Sequence, residues 1–82
     1  MNSIWSSSYM LFRVKLREMR EQAGMTQVQL ATRLGKPQSY VSKVESGERQ
    51  MDFLEVRDYC VACKRDFTEF VAMLEALLAQ SA

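Results

Sequence analysis

The stretch that decides the fold runs from Thr26 to Gly47 and reads TQVQLATRLGKPQSYVSKVESG. Apolar residues recur at helical spacing on either side of Gly35, so the pattern predicts two short helices joined by a tight turn. Thr26 is a typical N-cap for the first of them. Pro37 suits the first position of the second, because a proline lacks the N–H group that a helix start leaves unpaired. The second helix is therefore assigned to residues 37–46.

The side chains of this stretch are spaced for two helices that cross at a steep angle. Ala31 is small enough to let the backbones approach, and Gly35 permits the sharp reversal between them. Larger side chains are predicted to fill the wedge against the preceding helix: Leu30, Leu34, Val41 and Val44. An ordinary helical hairpin explains these apolar residues equally well. It does not explain the polar outer face of the second helix, which carries Gln38, Ser39, Ser42 and Lys43.

One more helix is predicted before this pair. It is expected from about Tyr9 to Ala23, after a run of serines that suits an N-cap, and Gly24 ends it in the left-handed conformation that glycine tolerates. The apolar stripe of this helix has a helical period and comprises Phe12, Leu16, Met19 and Ala23.

Two more helices are predicted after the pair. The fourth starts after Asp52 and continues to about Ala62 or Cys63, and Asp52 with Glu55 has the spacing of a capping box. Its apolar contributors are Phe53, Leu54, Tyr59, Cys60 and Val61. The fifth helix is assigned to residues 66–79, where apolar residues again recur at helical spacing.

The composition is that of a small globular domain. The chain has 82 residues, 48% of them hydrophobic, and no segment alternates for long enough to be a strand. We therefore predict an all-α fold, a compact five-helix single domain over residues 1–82. No apolar run approaches the ~18 residues that a membrane span needs. The N-terminus lacks the basic start and apolar core of a signal peptide, so we expect a cytoplasmic protein with no membrane partner.

Catalytic and metal chemistry have no support in the sequence. The chain contains no histidine, and we find no phosphate-cradling glycine loop and no paired nucleophile and base, so we expect neither an enzyme nor a cofactor. Cys60 and Cys63 form C-x-x-C, but a lone pair cannot complete a tetrahedral zinc site, and no metal is expected. The two are predicted to be small buried hydrophobes. An interchain disulfide or a redox sensor is the alternative.

The net charge of +1 conceals an uneven distribution. Residues 13–43 carry seven basic and two acidic side chains, which gives +5, whereas residues 44–82 carry four basic and eight acidic ones, which gives −4. A basic half beside the central helix pair suits a polyanionic partner there. Two solvated faces with a chance imbalance of charge are the alternative.

The sequence resembles the Cro/XRE (phage-repressor-like) family of transcriptional regulators over about residues 10–63. The matching segments are Leu16–Arg20, Gly24–Gln27, Leu30–Ala31, Leu34–Gly35 and Gln38–Gly47. The resemblance implies a lambda-repressor-like DNA-binding fold in which helices 2 and 3 form a helix-turn-helix. It also implies sequence-specific binding of double-stranded DNA, with the recognition helix, residues 37–46, in the major groove.

The resemblance also implies roles for individual residues. The expected contacts to base edges are Gln38, Ser39, Ser42 and Lys43. The expected contacts to phosphates are Thr26, Gln27, Tyr40 and Arg49, with packing beside Val44 as the alternative for Tyr40. Arg20 and Glu45 are expected to form an internal salt bridge with a structural role.

Two residues depart from the family pattern at the entry to the recognition helix. Lys36 stands where an apolar residue is usual, and Pro37 stands where a serine or threonine cap is usual. Further candidates for phosphate contact rest on charge alone, and these are Arg13, Arg17, Arg33 and Lys36.

The fifth helix is predicted to join two copies of the chain. Its apolar stripe is wide for so small a domain, and the residues expected at the interface are Phe67, Phe70, Val71, Leu74, Leu77 and Leu78. Helix 4 and Trp5 are expected to help. A homodimer on a near-palindromic operator is the main hypothesis, with no small-molecule ligand. The alternative is an antitoxin-like or other protein-interaction module built on the same helices.

Overall fold

A computed structural model of the protein describes residues 6–81, and these form five α-helices with no strand among them. The helices are α1 (Ser7–Gln22), α2 (Gln27–Leu34), α3 (Gln38–Ser46), α4 (Phe53–Ala62) and α5 (Phe67–Ser81). The predicted all-α, five-helix fold is confirmed. The predicted role of Trp5 in a dimer falls outside the described residues. None of the helices in this range is long and apolar enough to cross a membrane.

Side-chain caps fix where α2 and α4 begin, as their sequences predict. The Oγ1 atom of Thr26 accepts a hydrogen bond from the N–H of Gln29 at 3.1 Å, and the Oε1 atom of Gln29 accepts one from the N–H of Thr26 at 2.9 Å. Asp52 and Glu55 form the same reciprocal pair at 2.8 and 2.9 Å. Each box satisfies two N–H groups that a helix start leaves without intrahelical partners.

The start of α3 differs from the prediction by one residue. Pro37 is the N-cap of α3, not its first helical residue, because its ψ of 157° is extended. The pyrrolidine ring fixes φ alone, and the chain needs an extended residue here to leave the left-handed turn at Gly35. Pro37 has no side-chain acceptor for the first turn of α3.

The core forms where α1, α2 and α3 meet and is closed by α4 and α5. Three of the four predicted wedge residues, Leu30, Val41 and Val44, are fully buried at its centre. The other large side chains that are fully buried among the described residues are Tyr59, Phe70, Leu16 and Cys60. Ala31 is 1% exposed at the contact between α2 and α3, and Leu34 packs against the core while partly buried. The wedge prediction is therefore confirmed.

Four apolar residues lie outside the core although the sequence placed them in apolar stripes. Ala23 is exposed, because α1 ends at Gln22 and Ala23 is the C-cap before the left-handed Gly24. On α4 the exposed residues are Phe53, Leu54 and Val61. The inward face of α4 is instead formed by Tyr59 and Cys60, so this helix leaves an apolar surface outside.

Candidate nucleic-acid interface

The helix α3 has one face in the core and one on the surface. Val41 and Val44 are essentially inaccessible, whereas Gln38, Ser39 and Lys43 are exposed and Ser42 is half-buried. All four predicted base-contacting residues thus lie together on the outer side of a helix whose inner side is fixed by packing. We call these four residues the reading face.

A single carboxylate, that of Glu45 near the end of α3, is bound by three other helices. Arg20 of α1 donates from Nε to Oε2 at 2.7 Å and from Nη2 to Oε1 at 3.0 Å. Gln27 of α2 donates from Nε2 to Oε1 at 3.0 Å, and the hydroxyl of Tyr59 on α4 donates to Oε2 at 3.3 Å. The carboxylate therefore holds α3 at a defined angle to the rest of the domain.

The environment of this ion pair shifts the ionisation of its partners. Arg20 is only 7% exposed, and its hydrogen bonds to Glu45 raise the pKa of the guanidinium above its usual value. Burial, together with the negative charge of Glu45, raises the pKa of the Tyr59 phenol well above its usual value. Both groups therefore keep their protons at any physiological pH.

A second hydrogen bond extends this network to the reading face. The Nε2 atom of Gln38 donates to the Oε1 atom of Gln27 at 2.8 Å. Because Gln27 gives its own amide N–H to Glu45, the two glutamines form a chain from the buried ion pair to the surface. The side chain of Gln38 is thereby held in one orientation, with further donor and acceptor positions of its amide left over.

Two of the predicted phosphate contacts, Tyr40 and Arg49, are gathered around one acid that the sequence reasoning assigned only as a cap. Arg49 Nη2 lies 2.7 Å from Glu55 Oε2, and the hydroxyl of Tyr40 donates to the same oxygen at 3.3 Å. The guanidinium of Arg49 also lies over the Tyr40 ring, with Cζ 4.8 Å from the centroid. Burial and the nearby charge of Glu55 raise the pKa of Tyr40.

The other predicted phosphate contacts lie at the N-terminus of α2. Thr26 is exposed and its hydroxyl oxygen is used in the capping box, while Gln27 is half-buried by its bond to Glu45. The backbone N–H groups of a helix start attract anions, so the position of both residues suits a phosphate.

The basic residues that were candidates by charge alone have structural partners. Arg13 donates to the carbonyl oxygen of Ser46 and, at 3.5 Å, to that of Glu45, and so it caps the end of α3. Arg33 donates to the carbonyl oxygen of Ala62 at 3.2 Å. Arg17 pairs with Glu21 at 3.2 Å, and Lys36 lies 5.4 Å from the Tyr40 ring centroid. The partners of Arg13 and Arg33 were not visible in the sequence, because they are about thirty residues away in the chain, whereas those of Arg17 and Lys36 lie four residues further on.

Cys60 and Cys63 are free thiols inside the domain. Burial raises the pKa of each thiol to about 11, so both stay protonated and poorly nucleophilic near neutral pH. Within residues 6–81, no group of three or more histidine, cysteine, aspartate or glutamate side chains is arranged to hold a metal ion.

Comparisons with known proteins agree with this geometry. A helix-turn-helix family model matches residues 16–70, more than half of the chain. An XRE-family like protein from Pseudomonas syringae pv. tomato str. DC3000 is 42% identical, with a TM-score of 0.82 and 87% of each chain covered. The restriction-modification controller protein C.Esp1396I shares the fold, with a TM-score of 0.82 at 19% identity over 94% of this chain and 100% of that chain. A search of curated proteins found no match. The chain therefore belongs to the XRE family of helix-turn-helix DNA-binding transcription regulators.

Proposed function

We propose that the protein binds double-stranded DNA in a sequence-specific manner, with α3 in the major groove. The observation that carries this proposal is the division of α3 into two sides. One side is locked into the domain by Val41, Val44 and the Glu45 network, and the other presents the reading face to the outside. A rigid helix with polar side chains of this kind can read base edges, because it meets the groove without first being ordered.

The four residues of the reading face offer distinct chemistry to a base pair. The amide of Gln38 can bond both to N6 and N7 of adenine, and the ammonium of Lys43 can reach the acceptors of guanine. Ser39 and Ser42 can donate or accept, and so they adapt to either kind of base. Phosphate contacts from Thr26, Gln27, Tyr40 and Arg49 would set the register of the helix without selecting sequence.

We further propose that two copies bind a near-palindromic operator as a homodimer joined through α5. The apolar surface available for this contact includes Val71 on α5 and Phe53 on α4, whose ring meets that of Phe67 edge-on at 5.0 Å. Leu77 and Leu78 are half-buried. The expectation that Phe70 lies at the interface is wrong, because this residue is 1% exposed and belongs to the core. The α3 helices of the two copies would then lie about 34 Å apart, which is one turn of DNA.

The decisive experiment is selection of bound duplexes from a random pool, followed by titration of the selected operator with variants. We expect Gln38→Ala and Lys43→Ala each to weaken specific binding by roughly 1–3 kcal/mol, the usual discrimination from one good base contact. Lys43 is exposed and takes no part in the Glu45 network, so the thermal unfolding midpoint of Lys43→Ala should stay unchanged. Gln38→Ala removes the hydrogen bond to Gln27 and should destabilise the fold only slightly, by about 0.5–1.5 kcal/mol.

Gln80→Ala is the matched control, since it removes an exposed amide from α5. It should bind the operator like the wild type. If Gln38→Ala and Lys43→Ala also bound like the wild type, the placement of α3 on the bases would be wrong. A protein that enriched no duplex at all would instead point to the protein-interaction alternative, because specific DNA affinity and its steep salt dependence would both be missing.

A further inference from the structure

We propose that Glu55 is an internal competitor of the DNA phosphates, holding back two of the groups expected to contact the DNA backbone. This inference rests on the proposed function. Its basis is that one carboxylate oxygen of Glu55, Oε2, receives both Arg49 at 2.7 Å and the hydroxyl of Tyr40 at 3.3 Å. A phosphate that takes the Nη2–H of Arg49 or the hydroxyl of Tyr40 must displace this carboxylate. Arg49 Nη1 donates to the carbonyl oxygen of Gln50 at 3.1 Å, and the charge carried by the other N–H groups of Arg49 is offset by Glu55.

The competitor is held firmly in place. The second carboxylate oxygen of Glu55, Oε1, accepts a hydrogen bond from the N–H of Asp52 at 2.9 Å, as part of the capping box of α4. Because both oxygens have donors, the side chain of Glu55 cannot turn away without also leaving the cap unpaired. The guanidinium of Arg49 lies over the Tyr40 ring, with Cζ 4.8 Å from the centroid, and so completes a cluster of three side chains, one of which, Tyr40, belongs to α3.

The charges of this cluster determine the expected effect. The charged groups at the Tyr40 side of the cluster are Arg49 and Glu55, with Lys36 above the ring at 5.4 Å and Asp52 at the start of α4. While Arg49 is paired with Glu55, its charge is already neutralised, and it displaces little of the counterion atmosphere of DNA. Removing the charge of Glu55 should free Arg49 to do so.

Glu55→Gln is the appropriate test, because glutamine also serves at this position of a capping box and the start of α4 should survive. Glu48→Gln is the matched control. It removes the same charge next to Arg49 in the chain, but Glu48 is exposed and accepts a hydrogen bond from Ser46, not from Arg49 or Tyr40. The measurement is affinity for the selected operator as a function of salt, with thermal unfolding of each variant in parallel.

We expect Glu55→Gln to bind the operator about two- to fivefold more tightly than the wild type, the range set by the strength of a partly exposed ion pair. The slope of log affinity against log salt should steepen by about 0.9, the value for one additional neutralised phosphate. Arg49→Ala should weaken binding more strongly in the Glu55→Gln background than in the wild type, because only there is the guanidinium fully available.

Three results would overturn the inference. Weaker binding by Glu55→Gln would mean that Glu55 positions Arg49 for the phosphate instead of competing with it. A second such result would be that Glu55→Gln and Glu48→Gln change operator affinity equally, and that Arg49→Ala costs the same in the wild type and in Glu55→Gln. The affinity would then depend on the net charge of the protein and not on the pairing of Arg49 with Glu55. A wild type without affinity for any duplex would remove the proposed function itself, and this inference with it.

Discussion

The carboxylate of Glu45 organises the domain at the scale of single residues. Its two oxygens receive four hydrogen bonds, from Arg20 of α1, Gln27 of α2 and Tyr59 of α4. A buried charge is tolerated only when its donors are all in place, because an unpaired one suffers the full loss of hydration. The pairing of Arg20 with Glu45 follows from the family resemblance. The contributions of Gln27 and Tyr59 could not be predicted, since they depend on how α2 and α4 are placed in space.

The free energy of unfolding should therefore respond strongly to the loss of Arg20. We expect Arg20→Met to destabilise the protein by about 3–5 kcal/mol, because it leaves the Glu45 carboxylate buried without its counter-charge. The carbonyl oxygen of Met25, which accepts a hydrogen bond from Arg20 Nη1 at 2.7 Å, loses its donor as well. Urea unfolding followed by circular dichroism measures the change.

Lys15→Met provides the comparison for this prediction. Lys15 pairs with Glu18 at 2.9 Å, in a more exposed ion pair on the same helix. Loss of that pair should cost less than about 1 kcal/mol. Equal costs for the two substitutions would show that burial of the Arg20–Glu45 pair has no energetic weight.

At the scale of helices, the C-terminal end of α3 is closed by a residue from α1. Gly47 has a φ of +88°, and the guanidinium of Arg13 occupies the space where a Cβ atom of this residue would lie, while donating to the carbonyl oxygen of Ser46. That a glycine ends α3 is readable from the sequence, because the left-handed position favours it. That Arg13 binds there was not predictable, because its two acceptor residues lie more than thirty positions further along the chain. In the sequence, Arg13 resembles any other surface cation.

This arrangement predicts unequal costs for two glycine substitutions. Gly24 has a φ of +74° with open space around it, so Gly24→Ala should lose only the strain of a left-handed residue, about 1–2 kcal/mol. A Cβ atom on Gly47 would lie 2.9 Å from Arg13 Nη1. Gly47→Ala should therefore cost about 0.5–1.5 kcal/mol more, the contribution of a displaced hydrogen bond.

A thermodynamic cycle with Arg13→Ala tests the cause of this difference. In the Arg13→Ala background, the additional cost of Gly47→Ala should disappear, because no guanidinium remains to be displaced. If Gly47→Ala still had the additional cost in the Arg13→Ala background, the cost would come from the backbone of Gly47 and not from its contact with Arg13. Unfolding free energies in urea provide all four values of the cycle.

At the scale of the whole molecule, the described residues bury one core and leave large apolar side chains exposed on α1, α2, α4 and α5. The helical period in the sequence was enough to give five helices and the wedge around Val41 and Val44. It could not separate the core side of α5 from its outer side, because the apolar stripe is wider than the face that the domain covers. Phe70 is in the core, while Val71 beside it is 43% exposed.

The exposed part of that stripe should support self-association. We expect Val71→Glu to shift the protein toward the monomer in sedimentation velocity, because a carboxylate cannot be buried at an apolar contact without a partner. Val28→Glu is the control, since Val28 is 58% exposed on α2 and is not part of the proposed interface. A dimer that tolerated Val71→Glu over the whole concentration range would place the contact elsewhere.

The link from Glu45 through Gln27 to Gln38 has a consequence for how target preference diverges after gene duplication. Ser39 and Lys43 are exposed on a helix whose attachment lies on its other side. In the proposed mode of binding, substitutions there alter the preferred operator and leave the stability of the fold intact. Gln38 is different, because its amide is bound to a side chain that also serves the buried ion pair. We therefore expect daughter copies to drift freely at Ser39 and Lys43, and to change Gln38 only together with Gln27.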